Sequence, residues 1–415
     1  MSPTPRAAWL LGAAGGGALV LPLELSIIAA AVVAVVAACD AYASRRPTTA
    51  LRRRAPTWLP RGVPADLHLD LDPPAARVRL RQPVPPDIHL EPSESDGELR
   101  ATVVARRRGR HRLPPAAARI EGPLGLGCSY RSFGEGTEVL VLPDLPSAWR
   151  LAHAVRRGRF GAEGRNRRGP LGLGTDFESI RDYLPDDDIR QVNWRATARL
   201  GRPMSNQYRI ERDRDVVCVV DAGRLMAAPL GDATRLDAAV DAVAALAFVA
   251  QELGDRCGAV AFDDHLLRRV APRRKSAHTI VRALFDLEPS GADSDYELAF
   301  RTVSRTKRSF VVVFTDLLDE GAARTLLGAV PLLAAHHAVV VATASDIDLD
   351  RITATAPRHP RDVYASVVAL DVLDARARVV AKLARAGAHT VEAPPDRLGA
   401  ACVASYLRAK DRARL

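Results

Sequence analysis

An almost uncharged apolar stretch near the N-terminus constrains this chain more than any other feature. From Ala7 to Ala38 the sole charged residue is Glu24, which makes the segment too long and too apolar for a helix on a water-exposed surface. Pro22 and Glu24 interrupt the stretch, so the sequence predicts two short spans joined by a tight turn. The predicted spans are Ala7–Leu21 and Leu25–Tyr42.

Arginines flank both ends of the stretch, with Arg6 on one side and a cluster from Arg45 to Arg54 on the other. Under the positive-inside rule both flanks are cytoplasmic, as a hairpin requires. We therefore expect residues 1–44 to form a multi-pass anchor in the inner (plasma) membrane, in contact with lipid, with the other domains in the cytoplasm. A cleaved secretory signal is disfavoured because its apolar core is shorter. A lipoprotein cleavage box at Val36–Cys39 is also disfavoured, because the arginines that follow are expensive to export.

The net charge of +10 comes from 59 basic and 49 acidic residues, and only four of the basic residues are lysines. Such an arginine-driven excess can reflect genomic composition rather than a nucleic-acid surface. We expect no nucleic-acid partner.

Three soluble parts are expected between the anchor and the C-terminal half. Residues 45–64 lack an apolar period and read as a basic linker, and residues 65–150 alternate apolar and polar side chains in short runs, which predicts a β-sandwich. Within the sandwich, the basic run Arg106–Arg112 suits a solvated strand edge better than contact with anionic lipid. Residues 151–215 form a connecting segment.

Long apolar runs alternate with helical stretches over residues 216–415. Val216–Val220 reads as a buried strand, Arg235–Leu253 as a helix, Phe310–Phe314 as another strand and Val363–Ala386 as a long helix. Alternation of this kind predicts an α/β domain with a parallel sheet wrapped by helices.

Two carboxylates, Asp221 and Asp316, directly follow buried strands of this predicted sheet, where ligands of parallel sheets bind. With hydroxyls they would form an oxygen set for Mg²⁺. Gly223 and Leu225 stand where hydroxyls two and four positions after the first aspartate are usual, which leaves Ser294 and Thr315 to complete a shell.

We therefore expect a vestigial, metal-free cleft without a cofactor, with Mg²⁺ binding as the alternative. In such a cleft, Arg224 would compensate the negative charge. Neither a G-x-S-x-G elbow nor an H-E-x-x-H pair occurs, so the sequence predicts no enzyme.

The segment from Asp176 to Arg199 interleaves acids, arginines and aromatic residues. Its arginines can pair with its aspartates in a partly buried lattice, which would act either as a clasp between domains or as a docking surface. A helix N-cap is expected within the triplet Asp186–Asp188.

This segment resembles the signature of a bacterial membrane protein family catalogued as domain of unknown function 58, roughly R-E-Y-x-P-G-D-D-x-R-x-I-D-W-x-x-x-A-R and then E-x-D. The matching residues are Arg181, Asp182, Tyr183, Pro185, Asp187, Asp188, Arg190, Asn193, Trp194, Ala198, Arg199, Glu211 and Asp213. Asp186, Asp182 and Asn193 depart from the family's glycine, glutamate and aspartate.

The resemblance implies a von Willebrand factor A-like fold from Val216 onward and a link to MoxR-type AAA+ ATPases. It implies a membrane-anchored, non-catalytic scaffold or adaptor that engages such an ATPase or an envelope-assembly client. A membrane-bound, metal-dependent hydrolase using Asp221 and Asp316 is the alternative.

Overall fold

A computed structural model describes residues 2–17, 22–45, 50–72, 77–158, 176–184, 187, 189, 192–209, 214–304, 307–317, 321 and 323–411. The chain divides into two compact units, Met1–Leu142 and Pro143–Leu415. The first unit combines N-terminal helices with a β-rich part, and the second is a mixed α/β unit.

The predicted apolar stretch forms two helices, α1 (Pro5–Gly17) and α2 (Leu23–Ala43). At 1.5 Å per residue, the 13 residues of α1 reach about 20 Å, well short of a ~30 Å hydrocarbon core. Of the helices that the structure describes, α2 alone is long and apolar enough to cross a membrane. The structure therefore supports one candidate membrane-spanning helix, α2, and does not support two full membrane spans.

Three sheets make up the β-rich part of the first unit, with strand orders β1-β11-β10-β5-β7, β3-β12-β9 and β2-β4-β8-β6. The strands are β1 (Ser2–Pro3), β2 (Ala50–Arg54), β3 (Trp58–Pro60), β4 (Ala65–Asp72), β5 (Val78–Arg81), β6 (Ile88–Glu91), β7 (Glu94–Asp96), β8 (Leu99–Ala105), β9 (Gly109–Leu113), β10 (Ala116–Glu121), β11 (Gly127–Phe133) and β12 (Thr137–Leu142). Alternate side chains of these strands enclose one apolar cluster. The basic run ends in β9, an edge strand, as expected.

The predicted basic linker is wrong where the chain is described, because it contributes two strands. β2 pairs antiparallel with β4, and β3 pairs parallel with β12. Because β2 is an edge strand, arginines are tolerated on its solvent-facing side. Its sequence therefore lacks the alternation of apolar and polar residues that predicts a strand.

The sandwich also ends earlier than predicted, at Leu142. Asp144 caps the helix α3 (Leu145–Arg156) by accepting a hydrogen bond from the Ser147 N–H. Trp149 of α3 meets Phe248 edge to face with ring centroids 5.9 Å apart, so α3 belongs to the second unit.

The second unit is built on a six-stranded sheet in the order β19-β18-β15-β20-β21-β22, accompanied by two hairpins, β13-β14 and β16-β17. Five strands of the large sheet are parallel, and the edge strand β19 is antiparallel to β18. The strands are β13 (Asp176–Asp182), β14 (Met204–Arg209), β15 (Asp215–Asp221), β16 (Pro229–Leu230), β17 (Ala233–Thr234), β18 (Arg256–Phe262), β19 (Leu266–Arg273), β20 (Ser309–Phe314), β21 (Ala338–Ala344) and β22 (His389–Ala393).

Helices cover this sheet, and its apolar strands are buried as the sequence predicts for a parallel sheet. The helices are α4 (Trp194–Leu200), α5 (Arg235–Glu252), α6 (Ala277–Leu284), α7 (Tyr296–Ser304), α8 (Arg324–Ala334), α9 (Ile347–Ala354), α10 (Pro360–Arg385) and α11 (Leu398–Asp411). The capping box between Thr234 and Asp237 begins α5 at the carboxyl edge of the sheet.

Candidate functional site

The two strand-end aspartates lie at the same edge of the large sheet. Val220 of β15 pairs with Phe314 of β20, so Asp221 ends its strand at the level of Thr315 and Asp316 follows one residue later. Both aspartates are buried. The sequence placed this edge correctly because parallel strands bring their carboxyl ends together.

The carboxylate of Asp221 is surrounded by donors from its own chain. Its Oδ1 accepts hydrogen bonds from the Gly223 N–H at 2.8 Å and the Ser294 hydroxyl at 2.5 Å. Its Oδ2 accepts from the hydroxyls of Tyr296 and Thr315, each at 2.7 Å. A carboxylate offers about four acceptor positions, and all four are used here.

Gly223 leaves the room that Ser294 occupies. A Cβ at position 223 would lie 2.1 Å from the Ser294 Oγ and 2.9 Å from the carbonyl oxygen of Ala292. The hydroxyl that is missing two residues after Asp221 is therefore supplied by another loop. Leu225 contributes no hydroxyl, and Tyr296, which the sequence did not indicate, contributes one instead.

Asp316 is neutralised by two buried arginines. Its Oδ1 lies 3.0 Å from Nη1 of Arg235 and 3.3 Å from Nη2 of Arg376. Arg235 also donates to the Ala344 carbonyl at 3.0 Å and to Asp346 at 3.3 Å. Burial raises the pKa of Asp316, and the two guanidinium groups oppose this rise.

The expectation for Arg224 is wrong. Its guanidinium is exposed and pairs with Asp293 rather than reaching Asp221 or Asp316. A short 3₁₀ helix, Arg224–Ala227, turns the side chain outward, because a flexible arginine on the surface keeps its hydration.

Sequence reasoning missed both arginines that contact Asp316. Arg235 stands directly after the N-cap Thr234, a position that reads as ordinary helix surface. Arg376 has a clearer signal, since it falls in the buried stripe of α10 with Ala369, Val379 and Leu383. A charged residue in an apolar stripe needs a partner inside the protein.

We call Asp221, Ser294, Tyr296, Thr315 and Asp316 the strand-end cluster. The carboxylate oxygens of this cluster already receive hydrogen bonds or ion pairs from the chain itself. Burial and the adjacent Asp221 carboxylate raise the pKa of Tyr296 well above its usual value, so its hydroxyl stays protonated and acts as a donor. A cation could bind Asp221 only by displacing these hydroxyl protons from their acceptor. The arrangement favours a fixed structure over proton transfer.

The signature segment forms a local turn, closed by an ion pair, where the structure describes it. The guanidinium of Arg181 meets the Asp187 carboxylate through two contacts of 2.8 and 2.6 Å, and Asp187 also accepts from the Leu184 N–H. The Tyr183 hydroxyl donates to the Asp187 carbonyl at 3.1 Å. Asp187 thus closes a turn, and the N-cap of α4 is Asn193. Asp186 and Asp188, the other two residues of the triplet for which a cap was predicted, lie outside the described residues.

Other signature side chains point outward. Trp194 is 70% exposed, and Arg199 in the last turn of α4 is exposed as well. Asp182 pairs with Arg202 at 3.1 Å. Five further predicted signature residues lie outside the described residues, namely Pro185, Asp188, Arg190, Glu211 and Asp213.

Helix α10 carries a second apolar surface that the protein leaves uncovered. Arg376 marks the point where α10 meets the strand ends, and the sixteen residues before it extend about 24 Å at 1.5 Å per residue. This stretch carries five large apolar side chains that are 48–75% exposed, namely Val363, Tyr364, Val367, Val368 and Leu370. We call these five residues the α10 face.

The end of α2 is fixed to the β-rich part of the first unit. The buried carboxylate of Asp40 accepts hydrogen bonds from the backbone N–H groups of Leu124, Leu126 and Gly127 at 2.8–2.9 Å. These amides belong to the first Gly-Pro-Leu-Gly-Leu-Gly turn, between β10 and β11. Thr4, just before α1, donates to the carbonyl oxygen of Gly125 in the same turn.

Part of the chain is similar to a protein family whose function is unknown. Residues 179–360 match the family described as "Protein of unknown function DUF58". Three curated relatives, one from Mycobacterium bovis and two from strains of Mycobacterium tuberculosis, are uncharacterized and 29% identical over 153 residues, which is 35% of this chain. The match spans about half the length of these relatives, 48%.

Two solved structures were also compared. An uncharacterized membrane spanning protein from Vibrio fischeri is 15% identical, with a TM-score of 0.18, over 48% of this chain and 98% of that one. A superoxide reductase (neelaredoxin) from Ignicoccus hospitalis is 13% identical, with a TM-score of 0.14, over 22% of this chain and 79% of that one. At these TM-scores neither likeness carries an argument.

Proposed function

We propose that this protein is a membrane-anchored, non-catalytic adaptor whose α/β unit engages a MoxR-type AAA+ ATPase. The anchor is a hairpin of α1 and α2 in the inner membrane, and the β-rich part of the first unit and the whole second unit lie in the cytoplasm. The second unit has a von Willebrand factor A-like fold, in keeping with a mostly parallel six-stranded sheet covered by helices. The ATPase is the partner that the signature segment implies through its family resemblance.

The observation that carries this proposal is the α10 face. At about 100° per residue, Val363, Tyr364 and Val367 lie on the side of α10 opposite Ala369. Val368 and Leu370 flank Ala369 on either side, so the exposed apolar residues extend around the helix from its buried stripe. Large exposed apolar surfaces on soluble domains mark interaction sites. An exposed tyrosine beside aliphatic residues has the composition of an interface centre.

The strand-end cluster supports an adaptor rather than an enzyme. Asp221 has its acceptor positions filled by the chain, and Asp316 has two arginines as counter-ions. A general base or a metal ligand needs a carboxylate that is free to exchange partners. A metal-dependent hydrolase remains the competing function, because Asp221, Ser294 and Thr315 are oxygen ligands of the kind Mg²⁺ accepts.

Affinity capture of the full chain from solubilised membranes tests the proposal. We expect the wild type to retain an AAA+ ATPase, and Val367→Glu on the α10 face to retain at least tenfold less, because a charge in the centre of an apolar interface is costly to desolvate. Leu332→Glu is the matched control, since Leu332 is a comparably exposed apolar residue on α8.

Two results would contradict the adaptor. The first is equal ATPase capture by the wild type and Val367→Glu. The second is Mg²⁺-dependent hydrolytic turnover by the purified chain that disappears in Asp221→Ala, which would favour the hydrolase. A cation-dependent rise in melting temperature that is lost in Asp316→Ala would likewise show that the strand-end cluster holds a metal.

A further inference from the structure

A cavity of about 540 Å³ opens at the edge of the large sheet opposite the strand-end cluster. Its wall comes from the starts of β20, β21 and β22 and from the last turns of α11. Such a volume suits a small molecule. This edge plays no part in the proposed adaptor function, and neither the signature segment nor the α10 face contributes to the wall.

The cavity is basic. Arg308 and Arg408 line it together with His337 and His389, and none of the described residues in its wall is acidic. In the part of the chain that the structure describes, neither Arg308 nor Arg408 takes part in an ion pair. Two guanidinium groups facing one cavity without counter-ions repel each other, and an anion placed between them would relieve this repulsion.

His337 adds a donor whose protonation state is fixed by its surroundings. Its ring is buried, and its Nδ1 lies 3.2 Å from the backbone N–H of Ser309. Because a backbone N–H can only donate, Nδ1 must accept, and the ring proton resides on Nε2. Burial and the neighbouring His336 lower the pKa of His337, which keeps the ring neutral.

The Nε2–H of His337 has no acceptor among the described residues, although it is buried. A buried donor without a partner destabilises the folded protein, so such groups call for an explanation. An oxyanion in the cavity would supply one. The hydroxyl of the buried Ser405 lies in the same wall and offers a further donor.

We propose that this cavity is a binding site for the phosphate group of a small phosphorylated ligand. Arg308 and Arg408 hold the phosphate oxygens, His389 borders the site, and the Nε2–H of His337 donates from the floor. A phosphate suits this set better than a carboxylate because it presents three terminal oxygens to three groups of donors. Ala338, Val339 and Gly387 leave an apolar side for the body of the ligand.

Titration of inorganic phosphate into the detergent-solubilised full chain tests this site, with chloride and acetate at equal ionic strength as controls. We expect saturable binding and a rise in melting temperature with phosphate that neither control reproduces. Arg308→Gln and Arg408→Gln should each weaken binding at least tenfold. Arg361→Gln, an exposed arginine on α10, should leave it unchanged. His337→Asn keeps an acceptor for the Ser309 N–H and should weaken phosphate binding more than it lowers melting temperature.

A second arm identifies the source of the phosphate. Chain reconstituted in neutral-lipid nanodiscs is compared with chain in nanodiscs that contain phosphatidic acid. Loss of free-phosphate binding in the preparation that contains phosphatidic acid identifies a lipid headgroup as the ligand. Unchanged free-phosphate binding in both preparations identifies a soluble phosphorylated ligand. Either outcome supports the proposed phosphate site. The proposal is overturned if phosphate acts no better than chloride, or if both arginine variants bind phosphate like the wild type.

Discussion

The side chains of Arg181 and Asp187, which are six positions apart in the sequence, form an ion pair within a turn. This pair has the closest bidentate geometry of the polar contacts in the described signature segment. Two parallel N–H···O contacts join them, and the hydrogen bonds from Arg181 hold the pKa of Asp187 below its usual value. The sequence suggested this pairing among several, because arginines and aspartates alternate there. It could not select the partners, since Asp182 pairs with Arg202 instead.

Replacing Arg181 with Gln should lower stability by about 1–2 kcal/mol, because a bidentate, partly buried ion pair is lost. Arg202→Gln removes an exposed pair and should change stability little. Because the pKa of Asp187 is lowered in the folded state, its contribution is complete above about pH 5 and disappears as the pH falls through that lowered value. Melting curves of both variants between pH 3 and pH 7 measure this. A pH-independent gap between the wild type and Arg181→Gln would contradict the explanation.

The strand-end cluster shows where reasoning from single residues fails. The ends of the apolar strands predicted where Asp221 and Asp316 lie, and Ser294 and Thr315 were the hydroxyls predicted to complete the oxygen shell. The counter-ion was assigned to Arg224 because it is near in sequence, whereas Arg235 and Arg376 arrive from helices far along the chain. Such long-range contacts leave no local pattern.

Among the elements, α10 both packs against the large sheet and carries the α10 face that we propose for docking. Its last ten residues pack through Val379 and Leu383 into the apolar core, and Arg376 connects it to β20. The sequence predicted a helix across residues 363–386, close to the observed Pro360–Arg385. It did not predict α9 or the pairing of α9 with α10, because α9 is short and contains no buried residue.

Arg376→Met should destabilise the second unit by about 1–3 kcal/mol, because Asp316 keeps a single arginine. Arg235→Met combined with Arg376→Met should cost more than the sum of the single changes, since a buried carboxylate is then left without a counter-ion. Adding Asp316→Asn should recover part of the loss. The melting temperature of the full chain reports these changes at roughly 2–4 °C per kcal/mol.

Arg385→Met is the control for these variants, because Arg385 ends the same helix and is exposed. Its melting temperature should match that of the wild type. If Asp316→Asn makes the double variant less stable rather than more stable, the arginines do not act as counter-ions to Asp316.

At the scale of the whole molecule, both ends of the helical pair meet the same strand. Ser2 and Pro3 pair with Cys128 and Gly127 of β11, and the hydroxyl of Ser44 bonds that of Ser129 at 2.8 Å. The start of α1 and the end of α2 therefore lie on one side of any membrane that α2 crosses. The sequence predicted this return from the positions of arginines alone; the last four residues of the predicted first span, 18–21, lie outside the described residues.

A topology reporter fused after Arg54 should therefore give a cytoplasmic signal, as should one fused at the N-terminus, because positive flanks stay on the cytoplasmic side. Alkaline phosphatase and green fluorescent protein fusions at both positions measure this in cells. Changing Arg52, Arg53 and Arg54 together to Gln should weaken the preference, whereas changing exposed arginines of α10 should not. Phosphatase activity at the position after Arg54 would overturn the proposed hairpin.

The contact between Asp40 and the turn before β11 imposes an order on events during synthesis. The three amides that bind Asp40 follow it by 84, 86 and 87 residues. At about 5–20 residues per second, roughly 4 to 17 s of translation separate the emergence of the acid from that of its donors. The proposed insertion of α2 into the bilayer therefore precedes the synthesis of the turn that fastens this helix, so insertion comes first and fastening second.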